Sequence, residues 1–256
     1  DKVFAYRVIN GRAVSTPIEV FEINDGKEYI VKTIVTTETI KTIAERNGVE
    51  MYDVYTGFKW IANVMRENEG KKNYIGGGEE SYGFLCEDFV RDKDAVSACV
   101  ILAEIAAWAK DQGLSLYQLL QKIYVEYGFS KEKGISVVKK GKSGAEEIEA
   151  MMKKFRENPL TEIAGSKVTY FYDYSTLKGK DYAENETVTL DMPTTSNVLQ
   201  YFTEDNTKVS IRPSGTEPKI KFYCEVHSKV KSIDELPEAE KAAEEKINQI
   251  KASLGI

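Results

Sequence analysis

The 256-residue sequence holds one histidine, His227, and three cysteines, Cys86, Cys99 and Cys224. A single histidine excludes a metal site built from several, and it confines any Ser-His-Asp triad to that one position. The cysteines are widely spaced and lack zinc-ligand spacing, so each reads as a reduced thiol in a core or half-buried place. No apolar run approaches the ~20 residues of a membrane span, and the opening residues carry no secretory pattern. These absences lead to the expectation of a cytoplasmic protein with no membrane partner. Positive charge is also short: 41 Asp+Glu against 35 Lys+Arg leave a net charge of −6. That balance argues against a nucleic-acid partner, and any cationic site must be local. Internal repeats, coiled-coil heptads and low-complexity tracts are missing as well. The sequence begins at Asp1 rather than Met, which suits a piece of a longer chain.

What is present falls into two halves. Residues 1–24 alternate in a strand-like way over 3–8 and 18–21, with turns at Asn10-Gly11 and Asn24-Asp25-Gly26, and form a lead-in without an assigned role. From Tyr29 the pattern becomes strand, helix, strand, helix, strand. A β-branched run over 29–35 is followed by a helix that Thr36-Thr37 cap and Asn47-Gly48 stop. A strand over 49–54, a helix with Trp60, Ile61, Val64 and Met65, and a short strand over 73–75 follow. This alternation predicts an α/β layer with mostly parallel strands. Residues 94–110 form an apolar helix expected to bury Val96, Val100, Ala103, Ile105 and Ala107. Ser115 and Gln118 form a capping box for the next, expected to bury Leu116, Leu119, Leu120 and Ile123.

The second half reads as helix, several strands, then helix. Strands are expected over 135–138, 168–172, 187–190, 198–202, 208–211 and 220–226. Ser143 with Glu146 caps a helix through Met151, Met152 and Phe155, and Ser232 with Glu235 and Pro237 opens a last helix with Ile247 and Ile250 inward. The fold class is therefore α/β plus α+β: a three-layer α/β domain over 1–128, then a smaller α+β domain with an antiparallel sheet over 129–256. The lysine-rich run over 131–142 reads as a solvated loop and strand edge.

Three stretches carry chemistry. Between the strands at 208–211 and 220–226 lies Arg212-Pro213-Ser214-Gly215-Thr216-Glu217-Pro218-Lys219. Such a tip gathers a planar guanidinium, two hydroxyls, glycine-freed backbone N–H groups and lysine charge, which suits a phosphate dianion; the same residues also make ordinary turns. Gly76-Gly77-Gly78-Glu79-Glu80-Ser81-Tyr82-Gly83 puts two carboxylates and a hydroxyl on a glycine-supported loop, a donor and acceptor set suited to vicinal sugar hydroxyls. Lys59 follows a strand end, where α/β sheets form their ligand crevice. Placed between two aromatics, a lysine there can serve proton transfer or bind an anion. Arg91, Asp92, Lys93 and Asp94 read as a helix cap with a local ion pair.

In order, TGFKWI (56–61), GGGEESYGF (76–84), DFVRDKDAV (88–96) and SIRPSGTEPKIKFY (210–223) resemble the C-terminal half of the alpha-D-phosphohexomutases, the bacterial phosphoglucomutase/phosphomannomutase group above all. The resemblance runs from about Tyr29 to the C-terminus. It implies domains 3 and 4 of a four-domain enzyme. Glu79, Glu80 and Ser81 would bind sugar hydroxyls; Arg212, Ser214, Gly215 and Thr216, with Lys219 and Lys221 nearby, would hold the phosphate that is not being transferred. Lys59 would assist proton transfer or touch phosphate.

The resemblance also shows what to expect elsewhere. The family's phosphoserine motif and its aspartate-rich magnesium loop have no counterpart here, so Mg2+ would be bound by the missing N-terminal domains 1 and 2. The activity implied for the full-length protein is interconversion of glucose 1-phosphate and glucose 6-phosphate, with glucose 1,6-bisphosphate as intermediate, and the fragment would be inactive alone. A phosphomannomutase, a phosphopentomutase or a non-catalytic phosphosugar-binding module remains an alternative at this point.

Overall fold

The computed structural model describes residues 7–9, 12–14, 26–139, 141–215 and 217–256. Two compact units divide these residues, one over 1–36 and 40–99, the other over 37–39 and 100–256. The first unit includes an antiparallel pair of β1 (Arg7–Ile9) and β2 (Arg12–Val14), with Arg7 opposite Val14. The strand expected over 18–21 and the turn at 10–11 lie outside the described residues.

The first unit is built on a four-stranded sheet of β3 (Glu28–Thr33), β4 (Glu50–Val54), β5 (Asn73–Gly78) and β6 (Phe84–Cys86), in the order β4-β3-β5-β6. β3 runs parallel to both β4 and β5, and β6 returns antiparallel to β5. Parallel neighbours need crossovers, supplied by α1 (Thr39–Arg46) and α2 (Phe58–Asn68). Phe58, Ile61, Val64 and Met65 recur at helical spacing on α2 and close over Tyr29, Val31, Val54, Tyr74 and Leu85. Each fully buried side chain of this size contributes about 1.5–3 kcal/mol.

The triple glycine belongs to this sheet, correcting the expectation of a strand that ends before it. A Cβ on Gly77 would sit 2.3 Å from the Val31 carbonyl oxygen, and one on Gly78 2.7 Å from that of Gly83. These glycines let three backbones approach each other; they do not open a path to a ligand.

The second unit carries an eight-stranded antiparallel sheet. Its strands are β7 (Phe129–Val138), β8 (Glu162–Ile163), β9 (Ser166–Asp173), β10 (Lys178–Asp181), β11 (Glu186–Thr189), β12 (Leu199–Thr203), β13 (Lys208–Pro213) and β14 (Lys219–Ser228). The order is β11-β10-β9-β12-β13-β14-β7, with β8 paired to β9. α5 (Gly141–Glu157) and α6 (Leu236–Leu254) send Ile148, Met152, Phe155, Ala243, Ile247 and Ile250 into one core with Tyr201, Ile211 and Phe222. α5 begins two residues before Ser143, at Gly141 with φ 71°, so the expected cap at Ser143 lies inside the helix.

Two expectations for helices fail. α3 (Ala95–Asp111) buries only Ala109, while Val96 and Val100 are 74% and 54% exposed. Its apolar residues run all round the helix, so no single stripe selects a core face. Cys99, on α3, is correspondingly exposed rather than half-buried. α4 (Leu116–Tyr127) does start with the Ser115–Gln118 capping box, yet it leaves Leu116 and Leu120 exposed. It touches the core through its last turn, where Tyr124 meets Phe129 at 5.1 Å between ring centres.

Over 131–138 the lysine-rich run is an edge strand, as expected, and not a solvated loop. β7 starts at Phe129, and its alternation turns Lys131 and Lys133 toward α6, where they pair with Glu240 and Glu244.

Candidate functional site

Hairpin β13–β14 places Arg212 directly opposite Lys221 and Pro213 opposite Ile220. The tip is tied by two backbone bonds: Ser214 N–H donates to Lys219 O and Lys219 N–H donates to Glu217 O, each at 2.7 Å. Because side chains alternate along a strand, Ile211 and Phe222 enter the core while Arg212 and Lys221 share the opposite face. Like charges directly across a ladder destabilise it. Lys219 is neutralised by Glu217 at 2.9 Å, whereas no ion pair among the described residues takes in Arg212 or Lys221. Lys221 Nζ stands 5.9 Å over the Tyr223 ring, a weak offset to the repulsion.

Gly215 has a φ outside the left-handed region, and a Cβ on it would meet nothing within 4 Å. What it supplies is open space at the tip. Ser214 is half-buried beside it, and Thr216 lies outside the described residues. A groove of ≈ 950 Å³ runs along the helix side of this tip, between α5 residues such as Met152, Lys153 and Arg156 and residues 213–215, 217 and 218. Arg212 and Lys221 do not line it, being on the other face of the sheet.

In the first unit the expected sugar loop is a tight turn closed by Glu79 N–H donating to Gly83 O at 2.7 Å. Tyr82 takes φ 67° in it and is fully exposed. Glu79 reaches α2: its Oε1 accepts from Gly57 N–H at 2.7 Å, at the helix start where the macrodipole favours a carboxylate. Its Oε2 lies 3.0 Å from the position a Cβ on Gly83 would take, a tight fit that a small shift of the carboxylate would relieve. Glu80 accepts from Thr33 Oγ1 at 3.2 Å, and Ser81 is exposed. Glu79 and Lys59 are thereby brought to the same helix end.

Lys59 is exposed, with Nζ 5.0 Å from the Trp60 ring centre. It lines an open groove of ≈ 650 Å³ with Asn63, Arg66, Glu69 and Arg91. Arg91 bonds to Glu69 at 3.0 Å, Asp92 pairs with Lys93, and Asp94 accepts from Val96 and Ser97 N–H to start α3.

Sequence reasoning missed two buried lysines. Lys32 is fully buried and bonds Asp53, its cross-strand neighbour, at 2.7 Å. Lys208, 2% exposed, bonds Glu38 and lies 2.8 Å from Glu225, whose other oxygen meets His227 at 2.7 Å. Burial works to raise the Glu225 carboxyl, but the Lys208 and His227 charges prevail and hold it at about 2. Alternation within β3 and β13 sends Val31, Val209 and Ile211 to the core and so sets both lysines on the opposite face, where the pattern predicts solvent; their burial comes from packing that the local sequence does not signal. The lone histidine thus serves a buried charge cluster. Among the described residues no group of three or more His, Cys, Asp or Glu could hold a metal ion.

Comparisons with known proteins match two successive family domains along the chain, with their boundary between residues 127 and 136 rather than at residue 99, where the compact units divide. Residues 18–127 match the family described as phosphoglucomutase/phosphomannomutase, alpha/beta/alpha domain III, and residues 136–243 match its C-terminal domain. A phosphoglucomutase of Staphylococcus aureus is 40% identical over 194 residues, 76% of this chain and 35% of its own length. One from Staphylococcus haemolyticus is 36% identical over 198 residues, 77% of this chain and 36% of its own length. The chain thus spans about a third of the length of these relatives. The open form of parafusin from Paramecium, described as a phosphoglucomutase, superposes with a TM-score of 0.53 over 79% of this chain and 33% of its own, at 19% identity, a likeness of fold alone. With two successive domains of one family matched along the sequence, the chain belongs to the phosphoglucomutase/phosphomannomutase family of alpha-D-phosphohexomutases and carries its domain III and C-terminal domain.

Proposed function

We propose that this chain is the sugar- and phosphate-holding half of a phosphoglucomutase that interconverts glucose 1-phosphate and glucose 6-phosphate. The observation that carries the reading is the cross-strand pair Arg212–Lys221, two cations side by side beside Ser214 and the open Gly215 tip. An anion bound there removes the repulsion between them, and the guanidinium offers it a bidentate fork. Arg212, Lys221 and Ser214 grip the phosphate that stays on the sugar, with Lys219, Gly215 and Thr216 completing the loop. In the other unit, Glu79 and Ser81 take sugar hydroxyls, Glu80 steadies the turn through Thr33, and Lys59 faces an anionic group.

Phosphoryl transfer itself needs a donor and charge neutralisation at the moving group. Both belong to residues outside this chain: a phosphoserine that exchanges its phosphoryl group with a hexose bisphosphate, glucose 1,6-bisphosphate, and a magnesium site. The described residues do not fit that metal. Three free thiols support a cytoplasmic location.

The test is turnover. The purified chain should bind glucose 1-phosphate and convert none of it to glucose 6-phosphate; measurable conversion, free of host enzyme, would contradict the division of labour.

A further inference from the structure

β7 is the edge strand beside β14, and its register sets Ser136 opposite Lys221 and Gly134 opposite Tyr223. With Arg212 opposite Lys221 in turn, one face of the sheet carries the row Ser136, Lys221, Arg212. Ser136 and Gly134 are exposed, while the odd-numbered residues of β7 turn toward α6 and the core.

Gly134 has no structural explanation. It lies inside a ten-residue strand, where glycine costs about 0.5–1 kcal/mol relative to alanine. Its φ is not left-handed, and a Cβ built on it would meet nothing within 4 Å. Neither backbone conformation nor packing requires it, in contrast to Gly77 and Gly78. With no bulge in the β7–β14 register at this position, the remaining common use of a strand glycine is close approach of a ligand or another backbone. It sits about 7 Å along the strand from Ser136, on the same face as the paired cations.

We propose that β7 forms the second wall of the phosphosugar site: the Ser136 hydroxyl donates to the phosphate held by Arg212 and Lys221, and the bare backbone at Gly134 receives the sugar body attached to it. The site thus discriminates a phosphorylated sugar from free phosphate through a strand remote in sequence from the hairpin. This assignment rests on the Arg212 reading.

The experiment titrates the full 256-residue chain with inorganic phosphate and with glucose 1-phosphate, following affinity by calorimetry and stability by thermal unfolding. Ser136→Ala should weaken both ligands about 5- to 10-fold, as expected for loss of one hydrogen bond to a charged group, and Ser136→Thr should restore most of that. Gly134→Val should leave phosphate affinity within about twofold, weaken glucose 1-phosphate at least 10-fold, and keep or raise the unfolding midpoint, since β-branched residues suit a strand. If the Gly134→Val and Ser136→Ala chains bind glucose 1-phosphate as the parent does, while Arg212→Ala has lost it, the wall is wrong and the phosphate loop stands. If Arg212→Ala binds both ligands unchanged, the loop assignment fails and the wall with it.

Discussion

Glu225 shows how one residue can hold a strand in place and set its pH response. Its carboxylate is 3% exposed and stays ionised because Lys208 and His227 face it. Lys208→Met should therefore cost about 3–5 kcal/mol, the usual consequence of stranding a buried charge, read as a fall in the urea midpoint. The pH dependence follows from the direction of the shift. Glu225 is depressed to about 2 in the folded chain from an ordinary 4.5, so its stabilisation is complete above about pH 4.5 and fades as pH falls toward 2. The stability gap between the parent and Glu225→Gln should close over that window; a gap independent of pH would contradict the cluster. The thiols give a second check. Burial pushes Cys224 up to about 12, whereas Cys99 is exposed. Iodoacetamide at pH 8 should label Cys99 in the native chain and spare Cys224 until denaturant is added; equal labelling rates would count against the packing of β14.

Elements differ in why they contain glycine, and the difference can be measured. Gly77→Ala forces a Cβ against the Val31 carbonyl and should destabilise by about 1–3 kcal/mol or more. Gly215→Ala meets open space and should change stability by less than about 0.5 kcal/mol. Denaturant unfolding of the two variants should separate them clearly. The same contrast explains what the sequence made legible. The hairpin around Arg212 could be read because alternation, then Pro-Ser-Gly punctuation, then alternation is a local signal. The parallel layer could be read because strand and helix periods differ. The glycines of β5 have almost no strand propensity and become a strand only through pairing with β3 and β6. β10, Lys178–Asp181, has no β-branched pattern and is held by its register with β9. α3 misled because an all-round apolar helix gives no face to predict. Within the proposed site, Arg212 and Lys221 were legible from one hairpin. Ser136 and Gly134 were not, because they join it through β7, far away in sequence.

At the scale of the whole molecule, the chain combines domain III and the C-terminal domain of the phosphoglucomutase/phosphomannomutase family. In the proposed reading, the first presents the Glu79–Ser81 turn and Lys59 to a sugar and its charge, and the second presents paired cations to a phosphate. Neither contains a phosphoryl donor motif, and among the described residues there is no metal-binding cluster. The central claim is that the second domain's hairpin is an anion site. The most direct measurement is a titration of the 256-residue chain with inorganic phosphate, monitored by backbone amide NMR at low salt. The account predicts saturable shifts at Ser214, Gly215 and Lys221, weakened at least 10-fold by Arg212→Ala, since hydrogen bonds to charged groups contribute about 1.5–3 kcal/mol. Shifts that never saturate, or an affinity untouched by Arg212→Ala, would contradict it.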